Sequence, residues 1–324
     1  MRALTYLLFI LSALWSGYWF VGKNQLETRV GDMLGQAPAY GVSAQYAGFN
    51  VEGFPNRFDT TVENINLRDS VTGLGWEAPF FQVFALSYRP NHIIAVWPEH
   101  QVLHFGPVAV NVSSSDMRAS VIMGASTDLP LSSTRFVASD LTIAVQGSDE
   151  ETRSAQVFWA TRRSAASEFS HDMMLQIADV TLTPQLQAYL DPTGTYPDQI
   201  EGLNIDSTVA FDGVLGPQSP ARPTGITVRS ASLQWGELKL TVTGELVVAP
   251  TGYLEGVLDM TVENWRETAD VLSRIGLLQP GWADAAEPLV QGAENPDQLI
   301  TQIRYERGLV YFGPLAIGTA PRLF

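Results

Sequence analysis

The sequence predicts a mainly β fold: a long, curved antiparallel sheet with a few short helices and an N-terminal transmembrane helix. The sheet is expected to form a β-groove or an open-barrel or sandwich-like body. Three observations support this prediction. Residues 4–21 are almost uninterruptedly apolar, and about 18 such residues can cross a bilayer core. Beyond residue 40, apolar and polar residues alternate in short segments bounded by Gly, Pro, Asn and Asp, which is typical of strands with one buried face. Finally, 45% of the 324 residues are hydrophobic and 16% are charged, so a large core can be buried.

Residues 1–23 are predicted to anchor the chain in a membrane. Arg2 precedes the apolar run, whereas Lys23 after it is soon joined by Glu27, and this bias favours a cytoplasmic N-terminus with an exported body. The alternative is a cleaved signal peptide. Cleavage needs small residues at the end of the apolar run, where this chain has aromatic residues that suit a membrane interface. These are Trp15, Tyr18, Trp19 and Phe20. An uncleaved anchor is therefore favoured.

A helical stalk is expected at residues 24–39, followed by a β-rich body at residues 40–324. One face of the stalk is apolar at spacing i, i+4, i+7 and i+8. Its residues are Leu26, Val30, Met33 and Leu34. In the body, a short segment around Trp76 resembles a short segment around Trp235, and this likeness has two interpretations. They indicate either two similar halves, 40–190 and 200–324, or a chance likeness between strands.

The clearest alternation predicts a β-hairpin. It runs from residue 238 to 248 and, after a turn at 250–252, resumes from 254 to 262. Its apolar row is expected to face inward and to line a groove. The candidate groove residues are Leu238, Leu240, Val242, Leu246, Val248, Leu258 and Met260. Gly244 and Gly256, in the same rows, are expected to leave room on that face.

Short helices are predicted at three places in the body. One begins at Thr183, which is followed by a proline and is typical of an N-cap. A second begins after Asn264. A third is expected to begin at Asn295 and to bury Leu299 and Ile303 before the final strand.

Charge and composition exclude several functions. The chain has 19 Lys and Arg against 34 Asp and Glu, a net charge of −15. A nucleic-acid partner is not expected, because binding to the phosphate backbone requires clustered basic side chains. The chain has no cysteine, so disulfides, thiolate catalysis and Cys-ligated metal sites are excluded.

No catalytic residue, metal site or cofactor is predicted. The sequence has neither a phosphate-binding loop nor a nucleophile elbow. His100 and His104 are spaced like zinc ligands on a helix, but they lie in a predicted strand, which would place the rings about 13 Å apart. The chain is therefore not expected to be an enzyme.

An excess of aromatic residues marks the segment 54–97. Within it, residues 80–88 are apolar on both faces of a predicted strand. Such a strand either lies between two layers or faces a ligand on one side. Core packing is the favoured interpretation.

A set of motifs extends along most of the chain. It consists of Gly53-Phe54-Pro55-Asn56-Arg57-Phe58, Trp76-Glu77-Ala78-Pro79, Tyr88-Arg89-Pro90-Asn91-His92, Trp97-Pro98 and Gly313-Pro314-Leu315-Ala316-Ile317-Gly318. Together the motifs resemble an uncharacterised proteobacterial envelope family, domain of unknown function 2125. The resemblance implies a single-pass protein of the bacterial inner membrane with its body in the periplasm and no established catalytic residues. It implies structural roles for Gly53, Phe54, Pro55, Phe58, Trp76, Pro79 and Trp97.

A weaker likeness concerns the predicted hairpin, whose Gly-x-Leu spacing is similar to that of AsmA-type envelope proteins. That resemblance implies a curved β-groove with an apolar inside, in proteins implicated in moving or organising lipids. We therefore expect a non-enzymatic envelope protein whose groove binds phospholipid or another apolar ligand, in lipid transport or maintenance. The alternative is a scaffolding protein with a closed core that binds envelope partner proteins through its acidic exterior.

Overall fold

The structure is a computed structural model and describes residues 2–217, 221–274, 282–290, 295–313 and 315–324. The chain divides into two compact units. Unit 1 comprises Met1–Ala125 and Phe136–Asp149, and unit 2 comprises Ser126–Arg135 and Glu150–Phe324. The predicted mainly β class, with antiparallel strands, few helices and a long apolar N-terminal helix, is confirmed. The predicted duplication into halves 40–190 and 200–324 stays a prediction, because the two units are defined by contacts and not by sequence similarity.

Unit 1 begins with one long helix, α1 (Arg2–Gln36), and a short 3₁₀ helix (Ala37–Tyr40). Its strands are β1 (Val42–Gln45), β2 (Gly48–Glu52), β3 (Arg57–Asp69), β4 (Leu74–Leu86), β5 (Arg89–Val96), β6 (His100–Phe105), β7 (Val108–Ser113), β8 (Asp116–Met123) and most of β9 (Leu131–Val145).

The centre of unit 1 is the hairpin of β3 and β4, which pair from Arg57 with Leu86 to Arg68 with Gly75. Asp69 closes its turn by accepting hydrogen bonds from the N–H groups of Val71 and Thr72, both at 2.8 Å. The other edge of β3 pairs with β1 and β2. The other edge of β4 pairs with β5 and β6. One face of this hairpin packs against α1.

Unit 2 is an antiparallel meander in which each strand pairs with the next along the chain. Its elements are β10 (Glu151–Arg163), β11 (Ser170–Thr181), α2 (Pro184–Leu190), β12 (Gln199–Phe211), β13 (Pro223–Trp235), β14 (Leu238–Val248), β15 (Leu254–Glu263), α3 (Trp265–Arg274), α4 (Trp282–Val290), β16 (Gln298–Glu306), β17 (Leu309–Phe312) and β18 (Leu315–Thr319). Pro314, which belongs to the last of the sequence motifs, lies outside the described residues.

The predicted hairpin is confirmed as β14 and β15, but its two glycines do not leave open space. Gly244 faces Leu258 and Gly256 faces Leu246 across the pair. A Cβ atom on either glycine would overlap a carbonyl oxygen of the facing strand, and a leucine Cδ2 atom lies 3.2 Å from each Cβ position. The two leucines therefore fill the face that the sequence predicted to be open.

Two of the three predicted helices are confirmed. The Thr183 hydroxyl accepts a hydrogen bond from Leu186 N at 3.1 Å and caps α2. Helix α3 begins directly after Asn264, whose carbonyl oxygen accepts a hydrogen bond from Thr268 N at 3.1 Å.

The helix predicted from Asn295 is wrong, because residues 298–306 form strand β16. Leu299 is fully buried whereas the adjacent Ile300 is 72% exposed. This alternation is that of a strand, and β16 pairs with β15 along its full length. The spacing of the apolar residues fitted both structures, and pairing with β15 decided between them.

Candidate functional site

Helix α1 is the one helix in the described residues that is long and apolar enough to cross a membrane. Its most apolar stretch of 18 residues has a mean hydropathy of 1.6, and 6% of that stretch is buried. Residues 2–14 are exposed on all sides, whereas from Trp15 onward one face contacts the β-sheet of unit 1. The helix therefore has an exposed apolar half and a docked half.

The aromatic residues predicted to form an interfacial belt also bind the body. Trp15 Nε1 donates to Pro55 O at 3.0 Å, Tyr18 OH donates to Ser87 O at 2.7 Å, and Trp19 Nε1 donates to Arg57 O at 2.7 Å. Three side chains from successive turns of α1 thus bind backbone carbonyls of the loops at one end of the β3–β4 hairpin.

Two buried clusters hold α1 to the sheet. Near Trp15, Trp19 is 3% exposed and packs with Val51 and Phe58. Near the end of the helix, Leu34 packs with Val62 and neighbouring residues of β3 and β4. Gly22 allows the helix to approach the sheet closely, because a Cβ atom at this position would lie 2.7 Å from Phe58 Cζ.

A cavity of about 770 Å³ lies between these two contacts, within unit 1. The helix side of the cavity is formed by Gly22, Leu26, Val30 and Met33 together with the polar residues Asn24, Gln25, Thr28 and Arg29. The sheet side is formed mainly by apolar residues of β3, β4 and β5, namely Phe58, Val62, Phe81, Val83, Ala85 and Ile93. From Gly22 to Met33 the helical wall is about 16 Å long at 1.5 Å per residue. The cavity is therefore an elongated, predominantly apolar space beside the part of α1 that follows the anchor.

Strand β4 forms one wall of the cavity within residues 80–88, the segment that is apolar on both faces. Phe81, Val83 and Ala85 line the cavity. Phe81 also contacts Trp76 and Trp97, with ring centroids 5.4 and 5.2 Å apart. The strand therefore supplies the cavity wall and part of the aromatic packing of unit 1 at the same time.

Several of the residues that carry the family resemblance lie in this region of unit 1. Gly53 has φ of 97° and opens the loop that receives Trp15 and Trp19. Phe58 lies 7% exposed beneath Trp19, and Trp76 Nε1 donates to Gln101 Oε1 at 2.7 Å. Phe54 is exposed in the loop, and Pro79 is exposed within β4. Their predicted structural roles remain predictions.

A few polar groups border the cavity. Thr60 lines the sheet side and is buried, whereas Arg29 lines the helix side and is exposed. Arg29 makes no ion pair with any side chain in the described residues. A cationic group without a protein partner at the rim of an apolar space can pair with an anionic head group. Arg29 and Ile93 of β5 were not predicted from the sequence, and for β4 contact with a ligand was the less favoured of two interpretations.

The candidate groove residues of unit 2 lie partly in closed core and partly around a second cavity. Leu238 is 1% exposed and packs with Trp235, while Leu246, Val248 and Leu258 pack together. Leu240, Val242 and Met260 line a cavity of about 380 Å³ that Trp265 and Phe312 also border. These seven residues remain predicted ligand contacts, and the middle of their row adjoins this second cavity.

The histidines do not converge on a metal site. His100 and His104 lie in β6, where His100 Nδ1 is 2.9 Å from Ser113 Oγ and His104 Nε2 is 2.9 Å from Glu77 Oε1. No group of three or more His, Cys, Asp or Glu residues is arranged to hold a metal ion in the part of the chain that the structure describes. In unit 2, burial and the neighbouring Arg163 lower the pKa of His171, which is 1% exposed, so this imidazole is neutral at pH 7.

Comparison with known proteins identifies one family. A family model described as an uncharacterised protein conserved in bacteria, DUF2125, matches residues 19–321. This match confirms the family that the motifs indicated. No curated protein and no solved structure matches the chain. The likeness to AsmA-type proteins has no support from these matches and stays a prediction.

Proposed function

We propose that this chain, which belongs to the DUF2125 family of uncharacterised bacterial proteins, is a membrane-anchored protein that binds the acyl chain of a lipid. The cavity between α1 and the β-sheet of unit 1 is the proposed site. The observation that carries the proposal is the position of a large apolar cavity directly beside a helix able to span a membrane. Binding, and not catalysis, is the proposed activity, in lipid transport or maintenance of the envelope.

The size and lining of the cavity support this function. Its volume of about 770 Å³ falls within the roughly 300–1,000 Å³ of typical small-molecule sites. Most of its wall is aliphatic or aromatic, and burial of an acyl chain against such a wall contributes about 25 cal/mol per Å². Arg29 at the rim favours a ligand with an anionic head, such as a fatty acid or an acidic phospholipid.

We further propose that the anchor is retained and that the body lies in the periplasm of a bacterial inner membrane. The packing of Trp19 supports retention, because cleavage after the apolar run would expose Val51 and Phe58 to water. The intact mass of the membrane-extracted protein tests this proposal: retention predicts the mass of the chain with residues 2–23 present. A periplasmic reporter fused after Phe324 tests the orientation, and an inactive reporter would refute it.

Lipid binding can be tested by native mass spectrometry of the detergent-purified full chain with Ile93→Trp and Ile94→Trp variants. Ile93 lines the cavity, whereas its neighbour Ile94 projects from the opposite face of β5. We expect stoichiometric lipid on the wild type and on Ile94→Trp, and loss of most of it from Ile93→Trp, because an indole fills the acyl site. Far-ultraviolet circular dichroism shows whether both variants keep the fold.

The outcomes separate the possible sites. Val242→Trp places an indole in the smaller cavity of unit 2. If this variant alone lost the lipid, the lipid would bind in unit 2 and not in unit 1. Absence of lipid from the wild type after mild extraction would refute lipid binding.

The scaffolding alternative has one observation in its favour. Leu246 and Leu258 cover the glycines of the facing strands, so this part of the predicted groove is closed by the protein's own side chains. A protein that carries no lipid in either cavity and that copurifies with a specific envelope protein would support this alternative.

A further inference from the structure

Two loops at one end of unit 1 present exposed aromatic side chains beside the docked part of α1. We call this surface the foot; it consists of the loop at residues 53–57 and the turn at residues 86–89. Phe54 is 52% exposed and Tyr88 is 58% exposed. The ring of Phe54 stacks on that of Phe20 in α1, with centroids 5.7 Å apart, and Phe20 is itself 55% exposed. Large aromatic side chains are therefore continuous from the anchor onto the body.

The length of the free helix places the foot at membrane depth. Residues 2–14, which are all exposed, span about 20 Å at 1.5 Å per residue. A bilayer core is about 30 Å thick, so residues 15–21 must complete the span. Trp15 and Trp19 are hydrogen-bonded to Pro55 and Arg57. The loop that carries these carbonyls must then lie at the same depth as the end of the membrane-spanning segment.

Several backbone groups of the foot are already hydrogen-bonded within the protein, which lowers the cost of insertion next to apolar lipid. Gly53 O accepts from Asn56 N and Arg57 N, and Asn56 O accepts from Ser87 N. Pro55 O accepts from Trp15 Nε1 and from Ser87 Oγ, and Ser87 O accepts from Tyr18 OH. These four carbonyl groups therefore keep a hydrogen-bond partner on leaving the aqueous phase.

We infer that the foot inserts into the interface of the bilayer that α1 crosses, with Phe54 and Tyr88 at the boundary between head groups and acyl chains. Tyrosine and other aromatic rings favour this depth because their apolar bodies and polar edges match the two environments. Arg89 is exposed at the border of the foot, where its charged end can reach lipid phosphates. Arg57 is also exposed, but its guanidinium pairs with Asp59 at 2.6 Å. This inference rests on the proposed span of α1 and is independent of any ligand in the cavity.

Depth-dependent fluorescence quenching tests the inference. The chain has no cysteine, so single cysteines can be labelled without background at Phe54→Cys, Tyr88→Cys, Val71→Cys and Leu11→Cys. Val71 is 89% exposed and lies at the opposite end of the β3–β4 hairpin, about 40 Å away at 3.3 Å per residue. The labelled full chains are placed in vesicles of phosphatidylcholine and phosphatidylglycerol that contain nitroxide-labelled lipid.

We expect strong quenching at residues 11, 54 and 88 and several-fold weaker quenching at residue 71. Quenching at residue 11 with no quenching at 54 and 88 would overturn insertion of the foot while leaving the anchor intact. Absence of quenching at residue 11 would overturn the span of α1 and the foot together. Equal quenching at all four positions would show non-specific adsorption and would also overturn the inference. Agreement between residues 54 and 88 guards against a local effect of replacing Phe54, because Tyr88 lies in the other loop of the foot.

Discussion

Asp191 is a buried carboxylate that organises the loop after α2 in unit 2. It is 5% exposed, and it accepts hydrogen bonds from Tyr196 N at 2.6 Å and Thr193 Oγ1 at 2.7 Å. Burial alone would raise its pKa, but the hydrogen bonds from Tyr196, Thr193 and Gly194 together hold the pKa below its ordinary value of 3.8. The ionised form is thus the one that the folded protein stabilises.

We predict that Asp191→Asn lowers the free energy of unfolding at pH 7 by about 1–3 kcal/mol, because charged acceptors bind more strongly than amides. A depressed pKa contributes stability that is fully present above the unfolded value of 3.8 and is lost as the pH falls through the folded value. The variant should therefore show a smaller loss of thermal stability on acidification below pH 4. Asp198→Asn, at an exposed position in the same segment, is the control and should change stability by less than about 0.5 kcal/mol. Equal effects from the two variants would contradict this role for Asp191.

Gly244 and Gly256 are required by backbone conformation and not by an open face. Their φ angles are 139° and 138°, a region that residues with a Cβ atom rarely adopt. We predict that Gly244→Ala and Gly256→Ala each cost at least about 1–3 kcal/mol, seen as a lower thermal midpoint of the purified protein. Gly318→Ala in β18 should be almost neutral, since nothing lies within 4 Å of its Cβ position. Unchanged midpoints for the first two variants would mean that the strands can separate to accept a methyl group.

At the scale of elements, the docking of α1 on the sheet can be tested with two glycines of the same helix. A Cβ atom at Gly22 would lie 2.7 Å from Phe58 Cζ, whereas nothing lies within 4 Å of that position at Gly17. We predict that Gly22→Leu destabilises the protein by about 1–3 kcal/mol through overpacking, and that Gly17→Leu does not. Both changes gain the same helix propensity, so the difference between their thermal midpoints measures the docking alone. A midpoint for Gly22→Leu at or above that of Gly17→Leu would contradict the docking.

The elements that could be predicted from the sequence are those with local signals. The hairpin of β14 and β15 follows from strict alternation, and α2 follows from Thr183 and the proline after it. The region of Leu299 and Ile303 was misassigned because its spacing fits a helix and a strand equally, and only the pairing with β15 decides the outcome.

The candidate site could not be predicted in the same way, because it depends on which face of α1 meets which face of the sheet. The belt of aromatic residues and the apolar face of the stalk were both recognised, but as separate features. In the structure, Trp19, Gly22, Leu26 and Val30 continue one face of a single helix. That spacing of three and four residues was a signal in the sequence, and following it back from the stalk would have indicated a docked anchor. The partner strands, about 30 to 70 residues away, carry no corresponding local signal.

At the scale of the molecule, the two units differ in what their apolar residues do. Unit 1 contains the anchor and a cavity of about 770 Å³ beside α1. In unit 2, most of the predicted groove residues of β14 and β15 are packed in the core, and a smaller cavity of about 380 Å³ lies beside the others. A net charge of −15 repels anionic lipid head groups, so binding such a head group requires a basic side chain directly at the site. Arg29 at the cavity is such a side chain.

The most direct test of the central claim is photocrosslinking of the membrane-embedded full chain with a fatty acid that carries a diazirine near the end of its acyl chain. Peptide mass spectrometry would then locate the crosslinked residues. The proposed site predicts adducts on both walls of the cavity in unit 1, within residues 22–33 of α1 and residues 81–93 of β4 and β5, and their loss in Ile93→Trp but not in Ile94→Trp. Adducts confined to residues 240–262 of unit 2, or adducts only in residues 4–14 of the membrane span, would contradict it.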